Sequence, residues 1–498
     1  MKKQMKTLLS CLVCLLLIIS AFILTVPAED ASSTDVWDGT IAEGFASKAT
    51  GKEGDPIIIT TGKELAYLAE EVNCGELYEE VYFKLGNDIN LNGHPFEPIG
   101  GKDSNYYFKG NFNGNGHIVS GLNITKDSAK GYASIGFFGR THDAVIRNLT
   151  LEGNIDVDVK ANLGSVVGQL RGSELYNCVS RVSVTGTADT NSGTTIYAGG
   201  LVGLAENQSK VYCNSVSGNT SLSARSDVTV CVAGIVGRTG NETDITDCMN
   251  TGTVTAGTGK NIMMGGVVAA ANVFQGVEYA ANLKNCINTG NICLAEGATA
   301  AGKKYVGGIA AYVSQISALQ GCHHTGELPE ADIIGGIAGY DNKAENTYTD
   351  CSTSYAVAGS TDAKGVWTNC AAEISVIDNY ITEFNNAVKA SVDADALATK
   401  NVEDAFVPET DNQESSTTDN NNTSETDENT SQTDKNTSDP ETEKLTEKLT
   451  EKAENSNAAQ STDSSSSDKG CGSSLSTAGV ALLIIASVAV SGLRKKEI

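Results

Sequence analysis

Basic residues are scarce in this sequence: its 498 residues include 35 Lys and Arg against 61 Asp and Glu, which gives a formal net charge of −26. A surface that binds nucleic acid needs clustered Lys and Arg to neutralise phosphates. The charge balance therefore argues against nucleic acid as a partner. Long uncharged apolar runs are missing from the middle of the chain and occur only near its two ends.

The first apolar run has the pattern of a secretory signal. Three lysines lie within the first six residues, an apolar stretch follows at residues 8–26, and the small residue Ala28 comes next. This order predicts export, with residues 1–28 removed as a signal peptide. An N-terminal membrane anchor that is not cleaved is the alternative.

The second apolar run predicts a membrane anchor. Residues 475–493 carry no charge and are followed by Arg494, Lys495 and Lys496. At about 1.5 Å per residue, a helix of this length just spans a hydrocarbon core of about 30 Å, and the basic tail predicts a cytoplasmic C-terminus. Cys471 lies in DKGCGSS, which resembles the Gly-Cys step of sorting tails that are clipped, so processing there is an alternative to a plain transmembrane anchor.

A polar segment separates this anchor from the rest of the chain. Residues 401–470 consist mainly of Ser, Thr, Asn, Asp, Glu and Lys. Such a composition buries too little apolar surface to offset the entropy of ordering the chain. We therefore predict an acidic disordered linker at 401–470, between an exported domain at residues 29–400 and an anchor with its basic tail at residues 471–498.

The centre of the sequence repeats a short phrase of glycines around two apolar residues. Seven copies end 28 to 42 residues apart. A period of this size predicts a solenoid, in which each unit buries its inner face by stacking on the next. The copies are IGFFG at 135–139, GSVVG at 164–168, GGLVG at 199–203, AGIVG at 233–237, GGVVA at 265–269, GGIAA at 307–311 and GGIAG at 335–339.

The residues between the phrases select the kind of solenoid. Short β-favouring runs such as TTIYA and VTVCVA precede them, and no segment of helical period interrupts the series. Helical repeats are thereby excluded, and the pattern predicts an all-β, right-handed parallel β-helix of nine or ten rungs that turns three times per rung. Glycine at the corners tolerates positive φ or a close approach of backbones.

A second marker follows each phrase by 10 to 17 residues and is most often cysteine. We predict that it forms an inward-facing ladder. Equivalent Cβ atoms of stacked rungs point in parallel and do not converge, so buried thiols are expected in place of disulfides. The ladder consists of Leu149, Cys178, Asn214, Cys248, Cys286, Cys322 and Cys351, and Cys370 follows the same spacing.

The phrases resemble the GLUG motif (Gly-Leu-any-Gly and variants) of bacterial surface proteins, with repeats at about residues 135–370. NCINTGNI at residues 285–292 is similar to the usual continuation of that motif. Residues 54–124 resemble the module that often precedes such repeats. Some immunoglobulin A peptidases carry these repeats beside a zinc protease domain, but the sequence has no HExxH, so that activity is not implied.

Helical patterns at both ends of the domain predict caps that cover the strand edges of the end rungs. Thr61 and Glu64 form a capping box at the start of the first helix. The second, which begins at Ile377, has apolar residues at Ile381, Phe384 and Val388. The apolar face of the first helix consists of Leu65, Leu68, Ala69 and Val72.

Two groups of residues are the nearest to a chemical site. Cys322, His323 and His324 are adjacent, but neighbours in a strand alternate between faces, and no second pair lies at metal-ligand spacing. Asp156 and Asp158 lie two apart on one strand face, where a solvated surface explains them equally well.

The other two candidates are Asp143, which lies close to Arg147 in the sequence, and His117 in the turn text GNGHIVSG. A sugar-cleaving enzyme needs paired carboxylates across a cleft, and neither candidate supplies a convincing pair. We therefore assign no catalytic residue, no metal and no cofactor.

The sequence predicts a monomeric, non-catalytic adhesin or ligand-binding protein, exported and anchored at the cell surface, with a glycan or protein ligand. A polysaccharide lyase or glycoside hydrolase on the same scaffold is one alternative, and a structural protein of the cell envelope is another. A binding protein would have an aromatic or polar groove, whereas an enzyme would have a concave strip of clustered carboxylates with Arg or Lys. The longest insertions, residues 187–195 and 270–282, are expected to carry binding loops.

Overall fold

The computed structural model describes residues 36–405 except 189–192, 272–280, 315–316, 342, 360–363 and 372–376, and it describes no side chains at 399–405. The predicted signal peptide, acidic linker, membrane anchor and Cys471 lie outside the described residues. Within the described part of the chain, no helix is both long and apolar enough to cross a membrane.

The described chain coils through four sheets, and within each sheet the strands of successive rungs lie side by side. All pairings between these strands are parallel. Each of the seven central rungs passes through sheets 1, 2, 3 and 4 in that order. Sheet 1 contains Ser134–Ile135, Asn162–Gly164, Thr195–Gly199, Thr229–Ala233, Ile262–Gly265, Lys304–Gly307 and Ile333–Gly335. Sheet 2 contains Phe138–His142, Val167–Arg171, Val202–Glu206, Val236–Thr239, Val268–Ala271, Ala310–Val313 and Ala338–Asp341.

The other two sheets are longer because the preceding module and the end of the coil add strands to them. Sheet 3 contains Ile57–Ile59, Tyr82–Leu85, Asn111–Asn113, Val145–Arg147, Glu174–Tyr176, Lys210–Tyr212, Asp244–Thr246, Ala281–Lys284, Ser317–Gln320, Thr347–Thr349 and Val366–Thr368. Sheet 4 contains Ile89–Asn90, Ile118–Thr125, Thr150–Asp158, Val179–Ala188, Ser215–Val216, Thr220–Ala224, Met249–Asn250, Val254–Ala256, Ile287–Asn288, Ile292–Leu294, His323–His324 and Ser352–Thr353.

The prediction of an all-β solenoid with stacked parallel strands is confirmed. The coil passes through sheet 3 eleven times, one more than the upper expectation of ten rungs. Each central rung passes through four sheets, where three turns were expected, because the chain bends within the glycine phrase itself and so separates sheet 1 from sheet 2.

The glycines of the phrase are required by close contact and not by positive φ. A Cβ on Gly265 would lie 1.9 Å from the carbonyl oxygen of Val268, within the same bend. A Cβ on the next glycine, Gly266, would lie 2.1 Å from the carbonyl oxygen of Gly308 on the following rung and 2.2 Å from Nδ2 of Asn288. The phrase therefore repeats because backbones and a buried side chain occupy the space that a Cβ would need.

That buried side chain belongs to an inner polar ladder formed by Asn250, Asn288, His324 and Thr353, all with zero exposure. Asn250 Nδ2 donates to Asn288 Oδ1 at 2.8 Å, and Asn288 Nδ2 lies 3.0 Å from His324 Nδ1. Because a buried amide is costly unless its hydrogen bonds are made, this ladder holds adjacent rungs in register.

Positive φ occurs at a different corner, directly before the cysteine ladder. Asn177 has φ 53°, Asp247 has φ 51° and Asn285 has φ 52°, and each precedes a ladder cysteine. Asn and Asp tolerate this left-handed conformation better than most residues. In the same column Gly321 has φ 60° and Cys213 has φ 55°, and of the residue types there cysteine is the least suited to this conformation.

The predicted inward ladder is present. The ladder residues Leu149, Cys178, Asn214, Cys248, Cys286, Cys322 and Cys351 are fully buried, and ten cysteines of the described chain are free. The thiols bond to carbonyl oxygens: Cys248 Sγ lies 3.5 Å from Val211 O on the preceding rung and 3.4 Å from Thr246 O at its own corner. Burial raises the pKa of the Cys248 thiol to about 12, so it stays protonated and donates at neutral pH.

The N-terminal helix α1, Gly62–Asn73, has the predicted capping box, with Thr61 Oγ1 accepting from Glu64 N and the Glu64 carboxylate accepting from Thr61 N. Glu64 also accepts from the backbone of Ala46 and Thr60. The predicted apolar face is buried and belongs to the core of the solenoid.

The C-terminal helix α2, Ile377–Ala405, does not lie where it was expected as an end cap. Its side chains contact the sides of the rungs: Asp395 forms an ion pair with Arg147 at 3.0 Å, and the ring of Tyr380 stacks on His323 at 3.5 Å. Asn148 and Tyr176 also donate to Asp395. The helix therefore lies along the corner column, where Arg147, Asn148 and Tyr176 supply polar partners for Asp395.

We predict that Cys213→Asn stabilises the protein by about 1 kcal/mol. Asn177 Nδ2 donates to Asn148 Oδ1 at 3.1 Å, but Asn177 Oδ1 is buried without a hydrogen-bond partner, since the next rung presents Cys213 in place of an amide. An asparagine there adopts positive φ more readily and supplies the missing donor. Thermal unfolding of Cys213→Asn is compared with that of Cys213→Ser, which lacks the amide. Equal melting temperatures of the two variants would contradict the prediction.

Candidate binding site

The outer faces of sheets 1 and 2 meet in a concave strip, which we call the seam. Each of the seven central rungs contributes two outward side chains to it, one from each sheet. The strand register aligns these side chains in two columns. The seam consists of Ser134, Asn162, Tyr197, Cys231, Met263, Tyr305 and Ile333 from sheet 1, and Arg140, Gln169, Leu204, Arg238, Ala270, Tyr312 and Tyr340 from sheet 2.

Contacts between the two columns show that the strip is concave. The guanidinium of Arg238 donates to the hydroxyl of Tyr197 at 2.8 Å and lies 5.0 Å from the centre of its ring. Further along, the Tyr305 ring from sheet 1 lies 5.3 Å from that of Tyr312 in sheet 2. Outward side chains of two sheets can touch only when the bend between the sheets is folded towards solvent.

The first two rungs of the seam are polar. Arg140 Nε donates to Gln169 Oε1 at 2.7 Å, and Gln169 Nε2 donates to Glu206 Oε1 at 2.8 Å. Asn162 Nδ2 donates to Ser134 Oγ at 3.0 Å. Since these amides are largely buried and already paired, this end is structurally fixed and offers few free donors.

The middle of the seam is a small apolar cluster, separate from the core inside the coil. Cys231, Ala233, Ala269 and Ala270 are buried there, and Tyr197 and Met263 pack against them. Burial raises the pKa of the Cys231 thiol to about 12, so this cysteine is protonated and unreactive at neutral pH.

The last two rungs carry a group of partly exposed rings, the tyrosine site, formed by Tyr305, Tyr312 and Tyr340. The rings of Tyr312 and Tyr340 stack on successive rungs at 4.7 Å with an angle of 27°. Tyr305 meets both edge-on from the opposite wall, at 83° and 72°. These rings lie outside the core, and each tyrosine is partly exposed to solvent.

The charge of the seam differs from that of the whole chain. None of its fourteen side chains is Asp or Glu and two are Arg, although the chain has a net charge of −26. The carboxylate of Glu206 contacts the seam from its rim, through Gln169. Hydrolysis of glycosidic bonds uses a pair of carboxylates, and the fourteen seam positions supply none.

The structure separates Asp143 from Arg147, which lay close together in the sequence. Asp143 is exposed and lies 4.0 Å from Lys109, whereas Arg147 pairs with Asp395 of α2. Asp156 and Asp158 both point outward from the strand Thr150–Asp158, as the solvated interpretation predicted. The Asp158 carboxylate lies 2.9 Å from Lys126 Nζ, at an exposed position.

The histidine candidates have structural contacts. His323 Nδ1 lies 2.7 Å from Ser352 Oγ, and His324 belongs to the inner polar ladder. The thiol of Cys322 instead bonds to Leu283 O and Gln320 O, and the described residues contain no cluster of three or more His, Cys, Asp or Glu that could hold a metal. His117 contacts the carboxylate of Asp88 at 3.1 Å.

The two long insertions lie partly outside the described residues. Residues 189–192 and 272–280 are not described, while Ala271 and Ala281 at the borders of the second insertion belong to sheets 2 and 3. The expectation that these loops carry binding stays a prediction.

The seam was not anticipated from the sequence, although its signal is present there. A seam residue directly follows the last residue of each phrase, as in Arg238 and Tyr312. The partner from sheet 1 lies two residues before the first residue of the phrase, or directly before it in the first copy. Alignment of the seven phrases with these flanks would have placed four tyrosines in two columns.

Comparisons with known proteins agree with the repeat pattern. The family model for the GLUG motif matches residues 229–255, which include one phrase and its ladder residue Cys248, so the recognition of this motif is confirmed. Halomucin of Haloquadratum walsbyi is 29% identical over 191 residues, which make up 36% of this chain and 2% of halomucin. A protein of Evansella cellulosilytica described as a Gly-rich membrane protein is 29% identical over 184 residues, or 36% of this chain and 18% of that protein.

Two solved structures are similar at low identity. A Bacteroides ovatus protein described as an immunoglobulin A1 protease has a TM-score of 0.46 and 18% identity, covering 68% of this chain and 89% of the other. A structure described as IgA1 protease has a TM-score of 0.35 and 15% identity, covering 59% of this chain and 21% of the other. The chain therefore spans a small part of each relative found by sequence and of the second structure.

Proposed function

We propose that this chain, which carries the GLUG motif, is a cell-surface protein that binds an extended ligand along the seam and does not cleave it. The observation that carries the proposal is the seam itself. It continues over seven rungs, it has partly exposed tyrosine rings, and its fourteen side chains include no carboxylate.

The proposed location rests on two further observations. The sequence predicts an export signal, an acidic linker and a C-terminal anchor, and the partial relatives are named halomucin and a Gly-rich membrane protein. With this predicted order of signal, domain, linker and anchor, the domain that carries the seam would be exposed outside the cell, where a ligand on another cell or in the matrix can reach it.

Tyr340→Ala tests this proposal. We expect the labelled protein to bind intact cells or immobilised matrix, and the variant to bind about tenfold more weakly, because it loses one stacked ring from the seam. Binding is measured by flow cytometry and on coated surfaces. The matched control is Tyr212→Ala, which removes one ring of the stacked pair Tyr176 and Tyr212 on sheet 3, with centroids 4.6 Å apart.

Three results would contradict the proposal. Equal binding by Tyr340→Ala and the parent would exclude the seam as the binding surface. Release of reducing ends or unsaturated sugars from polysaccharides, lost on Asp143→Ala or Asp156→Ala, would instead favour the enzyme alternative. A protein that binds no cell or matrix would favour the role of a structural envelope protein.

A further inference from the structure

We infer that the tyrosine site binds the sugar rings of a linear, uncharged polysaccharide, an inference that rests on the proposed function and adds a ligand class to it. The site consists of Tyr305, Tyr312 and Tyr340, whose rings meet at the bend between sheets 1 and 2. Nothing in the packing of the core requires aromatic residues there, since all three side chains lie outside the interior cluster.

The geometry of the rings excludes a ligand enclosed between them. The three ring centroids are 4.7 to 5.7 Å apart, so the rings already touch one another. A cage for a quaternary ammonium group needs the cation to sit between ring faces. The three rings are partly exposed at the outer side of the bend, which suits a flat ring laid across them.

Sugar rings match this surface chemically. Their C–H groups pack on the apolar faces of aromatic side chains, and their hydroxyls need polar partners at the edge of the same surface. Tyrosine supplies both, and burial raises the pKa of the Tyr312 hydroxyl, so it remains a donor over the physiological pH range.

Charge selects an uncharged polymer. The three tyrosines of the site are uncharged, the two arginines of the seam lie on other rungs and bond to Gln169 and Tyr197, and the fourteen seam side chains contain no carboxylate that would pair with a cationic polymer. Because the seam continues past the tyrosine site to Met263 and Tyr197, a linear chain can extend over several rungs, which lie about 4.8 Å apart.

The test is affinity electrophoresis of the full chain in gels that contain one of four neutral linear polysaccharides (amylose, arabinoxylan, mixed-linkage β-glucan or galactomannan) or the acidic polysaccharide alginate. We expect at least one neutral polymer to retard the protein, with no retardation by alginate. Tyr312→Ala should weaken the retardation about tenfold. Tyr312→Phe keeps the ring, so its retardation should stay within about threefold of that of the parent. Tyr212→Ala should be retarded as strongly as the parent.

The inference is overturned if none of the four neutral polymers retards the protein, or if Tyr312→Ala is retarded as strongly as the parent. If cell binding still depends on Tyr340 while no polysaccharide binds, the proposed function stands but the assignment of a polysaccharide ligand fails. That result would favour a protein ligand. If seam variants change neither measurement, both proposals fail. Far-UV circular dichroism of each variant confirms that the solenoid is intact.

Discussion

Gly266→Ala is expected to destabilise the solenoid by about 3 kcal/mol or more. The added Cβ would lie 2.1 Å from the carbonyl oxygen of Gly308 and 2.2 Å from Nδ2 of Asn288. One neighbour is the backbone of the next rung and the other is a buried member of the inner polar ladder, so neither can move without separating two rungs. Urea denaturation followed by circular dichroism measures the loss.

The matched control is Gly44→Ala. No atom lies within 4 Å of a Cβ built on Gly44, and its φ is not positive. Its stability should stay within about 0.5 kcal/mol of the parent. Equal unfolding midpoints of Gly266→Ala and the parent would show that the phrase glycines are not required by close contact.

The second large effect is a loss of stability on acidification that depends on His324. Burial lowers the pKa of His324 from 6.5 to about 4 in the folded protein. The unfolded chain then binds more protons between these two pH values, so the contribution to stability is complete above about pH 6.5 and is lost as the pH falls to about 4. At pH 4.5 we expect a loss of about 2.5 kcal/mol from this residue.

His324→Asn isolates that effect, because the neighbouring ladder positions are already Asn250 and Asn288. The variant should lose less stability than the parent when urea denaturation at pH 7.5 is compared with that at pH 4.5. His323, whose pKa burial also lowers to about 4, remains in both proteins and produces a shared residual pH dependence. If the free energy of unfolding has the same pH dependence in parent and variant, the protonation of His324 does not contribute to the loss of stability on acidification.

Local chemistry explains why the sequence predicted so much of the coil. The glycine phrase returns at each bend because the same backbone contacts return there, and Cys248 and Cys286 recur because each occupies the same corner of its rung. The capping box of α1 could also be predicted from the sequence, since Thr61 and Glu64 are three residues apart and each side chain accepts a hydrogen bond from the backbone N–H of the other. In all three cases the residues that contact one another either lie within a few positions in the sequence or recur at the fixed period of the repeat.

The sequence left open whether the phrase glycines serve positive φ or close approach. Glycine both permits positive φ and permits close approach, and the sequence does not say which is used. The structure assigns close approach to the phrase glycines and positive φ to residues such as Asn177 and Asp247, which have side chains that tolerate it.

The sequence by itself determined the parallel β-solenoid, its period, the buried cysteine ladder and the N-terminal cap, because each follows from a repeated local pattern of apolar, glycine or capping residues. Only the tertiary structure decided where α2 lies and which residues form the seam. Asn148 and Asp395 are 247 positions apart when they bond, and Tyr305 meets Tyr340 from a different sheet and rung. Such contacts depend on the angle between sheets and on the stacking of rungs, which no local pattern specifies.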